Sequence, residues 1–176
     1  DSDYQVAIGK DFLTIHTPKA SMILHLKDFP KAGQGDDTLR VQLAIAALPE
    51  NGVLVFDEGE YHVTSLFLKS HSTIVIPKGT IVYGNPELKD YPFMPGEHPY
   101  AHEKLPAQFL SWEGNPFVGM PSLFTAFHAK DIALVGEGVV DGQASVSHFW
   151  DDVKHLKWAR PNLFYFNDCQ NVTMMG

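Results

Sequence analysis

Residues 121–136, PSLFTAFHAKDIALVG, and residues 161–176, PNLFYFNDCQNVTMMG, align without a gap, forty positions apart. Ser122 falls on Asn162, Leu123 on Leu163, Phe124 on Phe164, Ile132 on Val172, Leu134 on Met174 and Gly136 on Gly176. A third copy, TSLFLKSHSTIVIPKGTIVYG at 64–84, places Ser65-Leu66-Phe67 on Ser122-Leu123-Phe124. After one inserted residue it places Ile74-Val75-Ile76 on Ile132-Ala133-Leu134. Each copy holds two short apolar runs and a small-residue turn. A unit of about 20 residues cannot bury its own apolar face, so stacked copies must share one core. Strand-turn-strand units with no helix between copies predict an all-β chain, a right-handed parallel β-helix rather than a sandwich. The Leu/Asn spacing of a leucine-rich repeat is missing.

Outside the copies the pattern is consistent with such a solenoid. Three β-leaning pieces, Tyr4 to Ile8, Phe12 to Ile15 and Met22 to Leu26, are broken at Gly9-Lys10 and Pro18-Lys19 and predict short strands. Residues 37–48 predict a helix: Leu39, Leu43, Ala46 and Ala47 share a face, Asp36 or Asp37 can cap it, and Pro49 with Gly52 stops it. Its expected role is to cover the open N-terminal coil, which would otherwise expose apolar side chains and unpaired backbone. Short strands are expected at 53–56, 61–68, 72–77 and 79–84. Two long insertions interrupt the coils, Asn85 to Met120 with six prolines, and Ala144 to Ala159; such lengths inside a compact domain are usually functional.

With 13 Lys and Arg against 21 Asp and Glu, net charge −8, the chain lacks the concentrated basic surface that a nucleic-acid partner requires. No stretch approaches the roughly 18 apolar residues of a membrane span, so no membrane partner is expected. Cys169 is the single cysteine, set among apolar residues, and reads as a small hydrophobe.

Several segments resemble glycoside hydrolase family 28, the polygalacturonases, in the order found there. KDFPKAGQGDDTLRVQLAIAAL looks like the entry turn and capping helix of pectin-degrading β-helix enzymes. FLKSHSTIVIPKGTIVYG, SWEG at 111–114, GEGVVDGQ at 136–143, Trp150 and RPNLFYFNDCQNVTMMG follow. The Asp-Gly-Gln turn followed by a Trp and then Arg-Pro is the most specific piece. One departure is FPKAGQGDDT, where the family more often begins the turn Phe-Gly-Ala; this concerns the cap.

The resemblance implies inverting hydrolysis of α-1,4-galacturonide links in pectin, with a protonated carboxyl on the leaving oxygen and a carboxylate activating water, separated by roughly 6.5–9.5 Å. In the family these belong to an Asn-Thr-Asp motif and an Asp-Asp doublet, followed by Gly-His-Gly and Arg-Ile-Lys on later coils. None of the four stands at its place here, and the expectation is an N-terminal portion, residues 21–176, that ends before the catalytic coils. Residues 1–20 are expected to be N-terminal strands or the end of a preceding β-sandwich-like module. No catalytic residue, metal or cofactor is assigned to this portion. The resemblance implies a secreted or periplasmic protein acting on polygalacturonate or a related acidic oligosaccharide. An exposed last coil predicts end-to-end association.

Trp112, Glu113, His148, Trp150 and Arg160 are the candidates for the substrate side, because sugar sites use aromatic faces and a uronate favours a bidentate Arg. The bland alternative has the two tryptophans pinning the insertions against the coils. Asp151-Asp152 reads as a solvated loop. His98 and His102, flanked by Glu97 and Glu103, have metal-like spacing, but Pro95 and Pro99 disfavour the helix that would bring both imidazoles to one face. His71 and His128 read as equivalent turn positions, and Asn171-Val172-Thr173 as a buried turn rather than a glycosylation site. Two rivals remain: a non-catalytic β-helix binding acidic polysaccharide, for which Lys154, Lys157 and Arg160 are the local cations, and a Ca²⁺-dependent lyase, whose clustered carboxylates are missing.

Overall fold

The computed structural model describes residues 2–17, 19–31, 33, 35–92, 94, 110–112, 115–117, 119–144 and 161–176. The chain opens with an antiparallel hairpin, β1 (Ser2–Ile8) and β2 (Asp11–Thr17), paired from Ser2↔Thr17 to Ile8↔Asp11. Then follow β3 (Ile23–His25), α1 (Thr38–Ala47), β4 (Gly52–Val55), β5 (Gly59–Val63), β6 (Leu66–Phe67), β7 (Ser72–Val75) and β8 (Thr80–Gly84). A second hairpin, β9 (Leu110–Trp112) and β10 (Asn115–Phe117), precedes β11 (Phe124–Phe127), β12 (Lys130–Val135), β13 (Val139–Asp141), β14 (Phe164–Asn167) and β15 (Gln170–Met175).

Apart from the hairpins, every pairing of these strands is parallel, and the chain visits three sheets in rotation. Sheet I has the order β15-β12-β7-β4-β3, sheet II β13-β8-β5 and sheet III β14-β11-β6. This is a parallel β-helix, as the repeat requires. The forty-residue repeat is its coil-to-coil register: Phe124 pairs with Phe164 and Ile132 with Val172. The earlier copy is placed differently from the sequence alignment. Phe124 pairs with Leu66 and Leu134 with Ile74, so offsets of one and two residues replace those expected. The physical reason is that the earlier coil is the shorter one: four residues, 68–71, lie between Phe67 and Ser72, against six, 126–131, between their partners Thr125 and Ile132. A slip of one residue turns side chains to the other face of a strand, and the structure selects the register that puts Leu66 inside.

Inward side chains stack in rungs. Leu54 and Ile74, both fully buried, lie under Leu134 on sheet I; Tyr61 lies under Val82 on sheet II; Leu66 lies under Phe124 on sheet III. At the corner between sheets III and I, the residues just before the paired Gly52, Ser72, Ile132 and Val172 all adopt left-handed backbone: Asn51 (φ 59°), His71 (55°), Asp131 (56°) and Asn171 (53°). Asn and Asp tolerate this region better than most residues. Side chains link the column, with Asn171 Nδ2 donating to Asp131 Oδ1 at 2.8 Å and His71 Nδ1 3.1 Å from Asp131 Oδ2. His71 is therefore level with Asp131, while His128 instead faces Asp168 across 2.7 Å. Both histidines are turn residues, as expected, but not equivalent ones. Asn171 lies at the corner end of β15 and is exposed, contrary to the expected buried turn.

The helix matches its expected span, but its buried face is Arg40, Val41, Ala44 and Ile45, while Leu39 and Leu43 point outward, 55% and 49% exposed. α1 is apolar on both sides, so periodicity alone could not choose. Arg40 decides the orientation: its Nε donates to Phe29 O at 2.9 Å, its guanidinium lies 3.5 Å from Asp37, and it sits over the Tyr61 ring. A buried guanidinium requires such partners. Asp36 Oδ1 accepts from Thr38 N at the helix start, whereas Asp37 is buried and its backbone N–H bonds His62 O, tying the cap to β5. Gly136 makes the corner between β12 and β13: at φ 127° a Cβ there would overlap the Ile76 carbonyl. Cys169 is half-buried against the core, as a small hydrophobe should be.

Candidate functional site

Both long insertions arise at one corner. The first follows β8 and returns as β11; the second follows β13 and returns as β14, so both leave sheet II and rejoin sheet III. The sequence showed two interruptions, but only the coiling brings their roots onto adjacent rungs. The first is not wholly irregular: Leu88, Tyr91 and Met120 form a small second core at its base, and the Tyr91 hydroxyl lies over Gly84, where a Cβ would come within 3.2 Å. Burial pushes the Tyr91 phenol up to about 12. The hairpin β9–β10 lies beside sheet III, with Ser111 Oγ 3.3 Å from Tyr165 Oη.

The outer face of sheet II runs up to this corner. Strand alternation turns Tyr61, Val82 and Val140 inward and their neighbours outward. Pairing then aligns two outward rows, Glu60-Ile81-Val139 and His62-Tyr83-Asp141. The His62 and Tyr83 rings stack with centroids 5.1 Å apart and planes 19° from parallel. Asp141 Oδ1 accepts from Gln143 N at 2.8 Å and Oδ2 from Gln143 Nε2 at 3.1 Å, which holds the carboxylate beyond the ring pair. At the C-terminal end of β5, His62 and Val63 border a hollow of about 120 Å³ together with Asp36, Asn85 and Pro86. Aromatic faces with a few oriented polar groups are the ordinary composition of a site that grips a polyhydroxylated ring.

At the neighbouring corner, between β4 and β5, Asp57 gathers the start of the solenoid. Its backbone carbonyl accepts from Tyr61 Oη and Thr80 Oγ1, and its Oδ2 accepts from Lys27 N at 2.8 Å. Desolvation raises its pKa, but the Lys27 N–H and ammonium, with His25 alongside, outweigh it and hold the carboxyl below its usual value.

Of the five residues expected on the substrate side, Trp112 lies on β9 of the insertion hairpin, and its side chain is outside the described residues. Glu113, His148, Trp150 and Arg160 lie outside them altogether, as do His98, His102, Asp151-Asp152, Lys154 and Lys157. His62, Tyr83 and Asp141 did not emerge as candidates from the sequence. The available signal was the alternation in GEYHV, TIVYG and VVD, where polar or aromatic residues occupy one face. Among the described residues no group of three or more His, Cys, Asp or Glu could hold a metal ion, and no helix is long and apolar enough to cross a membrane.

These features define a parallel β-helix with loops elaborated at one edge of one sheet, and the family 28 polygalacturonases have this fold. The family 28 exopolygalacturonase of Yersinia enterocolitica matches 93% of this chain at a TM-score of 0.70 and 19% identity. The polygalacturonase of Erwinia carotovora matches 98% at 0.60 and 21% identity, and the hyperthermoactive exopolygalacturonase of Thermotoga maritima 91% at 0.65 and 20% identity. The chain spans 35%, 44% and 42% of those three structures. No protein-family model and no curated protein matches the chain.

Proposed function

We propose that this chain is the N-terminal part of a polygalacturonase-like glycoside hydrolase that cleaves α-1,4-galacturonide links in pectin by an inverting two-carboxylate mechanism. The observation that carries this reading is the emergence of both insertions beside the outward row His62-Tyr83-Asp141, in a fold shared with solved polygalacturonases. The 176 residues contribute the capping helix, the first coils and loops bordering the sugar cleft. In this reading Trp112, Glu113, His148 and Trp150 contact the sugar from the insertions, and Arg160 from the position that follows the second. The acid and base belong to the Asn-Thr-Asp and Asp-Asp motifs of a chain of the matched structures' length. The reading places the protein outside the cytoplasm, secreted or periplasmic.

Residues 1–20 belong in this reading to a separate N-terminal element. In support, β1 and β2 form a two-stranded sheet of their own, with Phe12 71% exposed. The second reading, a non-catalytic β-helix that binds acidic polysaccharide, is favoured by an outward ring stack, His62 on Tyr83, that needs no further coil. A reducing-sugar assay on polygalacturonate separates the two. Release by a chain containing both motifs, with none from the 176 residues alone, supports the hydrolase. Binding without release by that longer chain leaves the binding module.

The end of the solenoid also supports the expected end-to-end association of the 176-residue chain. Met174 and Met175 are 47% and 66% exposed there, around an apolar hollow lined by Leu134, Val140 and Phe164. Unpaired parallel strands template further pairing. Sedimentation of a stable monomer across a concentration series would contradict it.

A further inference from the structure

We infer that the outer face of sheet II contacts an uncharged sugar unit, a methyl-esterified uronate or neutral pyranose, rather than a free uronate. The inference rests on the carbohydrate reading above and concerns the charge of the ring held at that face. Along the row the side chains run Tyr83, with His62 stacked on one side and Asp141 following on the other. Asp37 N bonds His62 O at the edge of β5 away from Tyr83, which sets Asp36 on that side, and Glu60 stands in the adjoining outward row. Carboxylates therefore stand at both ends of the ring stack and beside it.

Their chemistry is that of acceptors. Among the described residues Asp141 takes one hydrogen bond at each oxygen, both from Gln143, and Asp36 Oδ1 takes one from Thr38 N. A carboxylate offers about four acceptor positions, so lone pairs remain for sugar hydroxyls. The edges of the His62 and Tyr83 rings supply apolar contact for the C–H groups of a pyranose. A free uronate in the same place would bring a like charge towards Asp36, Glu60 and Asp141. Each such approach costs several-fold in affinity, even at a solvated surface. Esterification removes that charge and leaves the hydroxyls and ring untouched.

The test measures binding of the chain at pH 8, above the ordinary titration range of histidine, and at low salt. The probes are polygalacturonate, the same polymer fully methyl-esterified, and a neutral galactan. Tighter binding of the esterified polymer by about threefold or more supports the inference if the Glu60→Gln/Asp141→Asn variant, with an unchanged circular dichroism spectrum, narrows that gap. Preferred binding of the galactan, with the same narrowing, identifies a neutral pyranose as the occupant instead of the ester. Equal or tighter binding of polygalacturonate, or a gap unmoved by the double substitution, overturns the inference and leaves the carbohydrate reading intact. Binding of none of the three polymers overturns both. Tyr83→Ala serves as a second probe: it should weaken the preferred polymer severalfold, and full retention of its affinity would also overturn the placement.

Discussion

The rings of Phe124 and Phe164 stack inside the solenoid with centroids 5.7 Å apart and planes 16° from parallel, forty residues apart in the chain. Leu66 lies beneath Phe124 in the same ladder, and Phe124 is fully buried. This rung joins three coils through one side chain, so its removal tests the fold directly. Phe124→Ala should cost about 3–5 kcal/mol, read as a lowered midpoint in urea unfolding. Phe127→Ala, at a half-buried position, should cost distinctly less. Equal losses would mean that the inward ladder does not carry the stack.

Gly136 permits the tight corner between β12 and β13. Its left-handed backbone and the space taken by the Ile76 carbonyl both exclude a side chain. Gly136→Ala should destabilise the protein by about 2 kcal/mol or more. Thermal unfolding checks this, and a midpoint within about 1 °C of the parent would contradict the corner geometry.

Asp57 makes part of the stability dependent on acid. Its folded pKa lies below the unfolded one, so the stabilisation is present above the ordinary Asp value near 3.9 and disappears as pH falls through the folded value. Asp57→Asn should lower the thermal midpoint at pH 6 by about 2–4 °C and by less at pH 3. The opposite pH trend would reverse the sign assigned to the Lys27 contact.

Tyr91 behaves in the other direction. Burial raises its phenol to about 12, so its stabilising contribution is present below the unfolded value near 10 and is lost as pH rises through the folded one. Spectrophotometric titration of the parent minus Tyr91→Phe should show a phenol ionising near 12. A difference spectrum that completes near 10 would place Tyr91 in contact with water, and the base of the first insertion would lose its anchor.

Trp150→Ala and Arg160→Ala test the sugar-facing role proposed for the second insertion and the residue that follows it. Each should weaken carbohydrate binding by about tenfold, the size of one lost stacking or charge-assisted contact, while leaving the unfolding midpoint nearly unchanged. A large drop in midpoint with no change in affinity would show instead that these side chains pin the loop.

The coil register between Phe124 and Phe164 could be read directly from the residues because both segments have the same length and the same alternation. The register with Leu66 could not, because the earlier coil has two residues fewer between Phe67 and Ser72 than its partner has between Thr125 and Ile132, and no periodicity reports the length of a turn. The burial of α1 was similarly ambiguous: Leu39 and Leu43 are as apolar as Val41 and Ile45, and only the partners of Arg40 choose between the faces. The row His62-Tyr83-Asp141 was invisible for a related reason. Its members are about twenty and sixty positions apart, with the first insertion and two sheets intervening.

By itself, the sequence determined the architecture. Short apolar units that cannot close a core alone must stack, and the gapless match of residues 121–136 with 161–176 makes that stacking parallel and in register. Only the tertiary structure decided which outward side chains meet, because contacts along a solenoid axis join residues a whole coil apart and depend on the length of every turn between them. That geometry sets both insertions at one edge of sheet II and aligns His62, Tyr83 and Asp141 beside them.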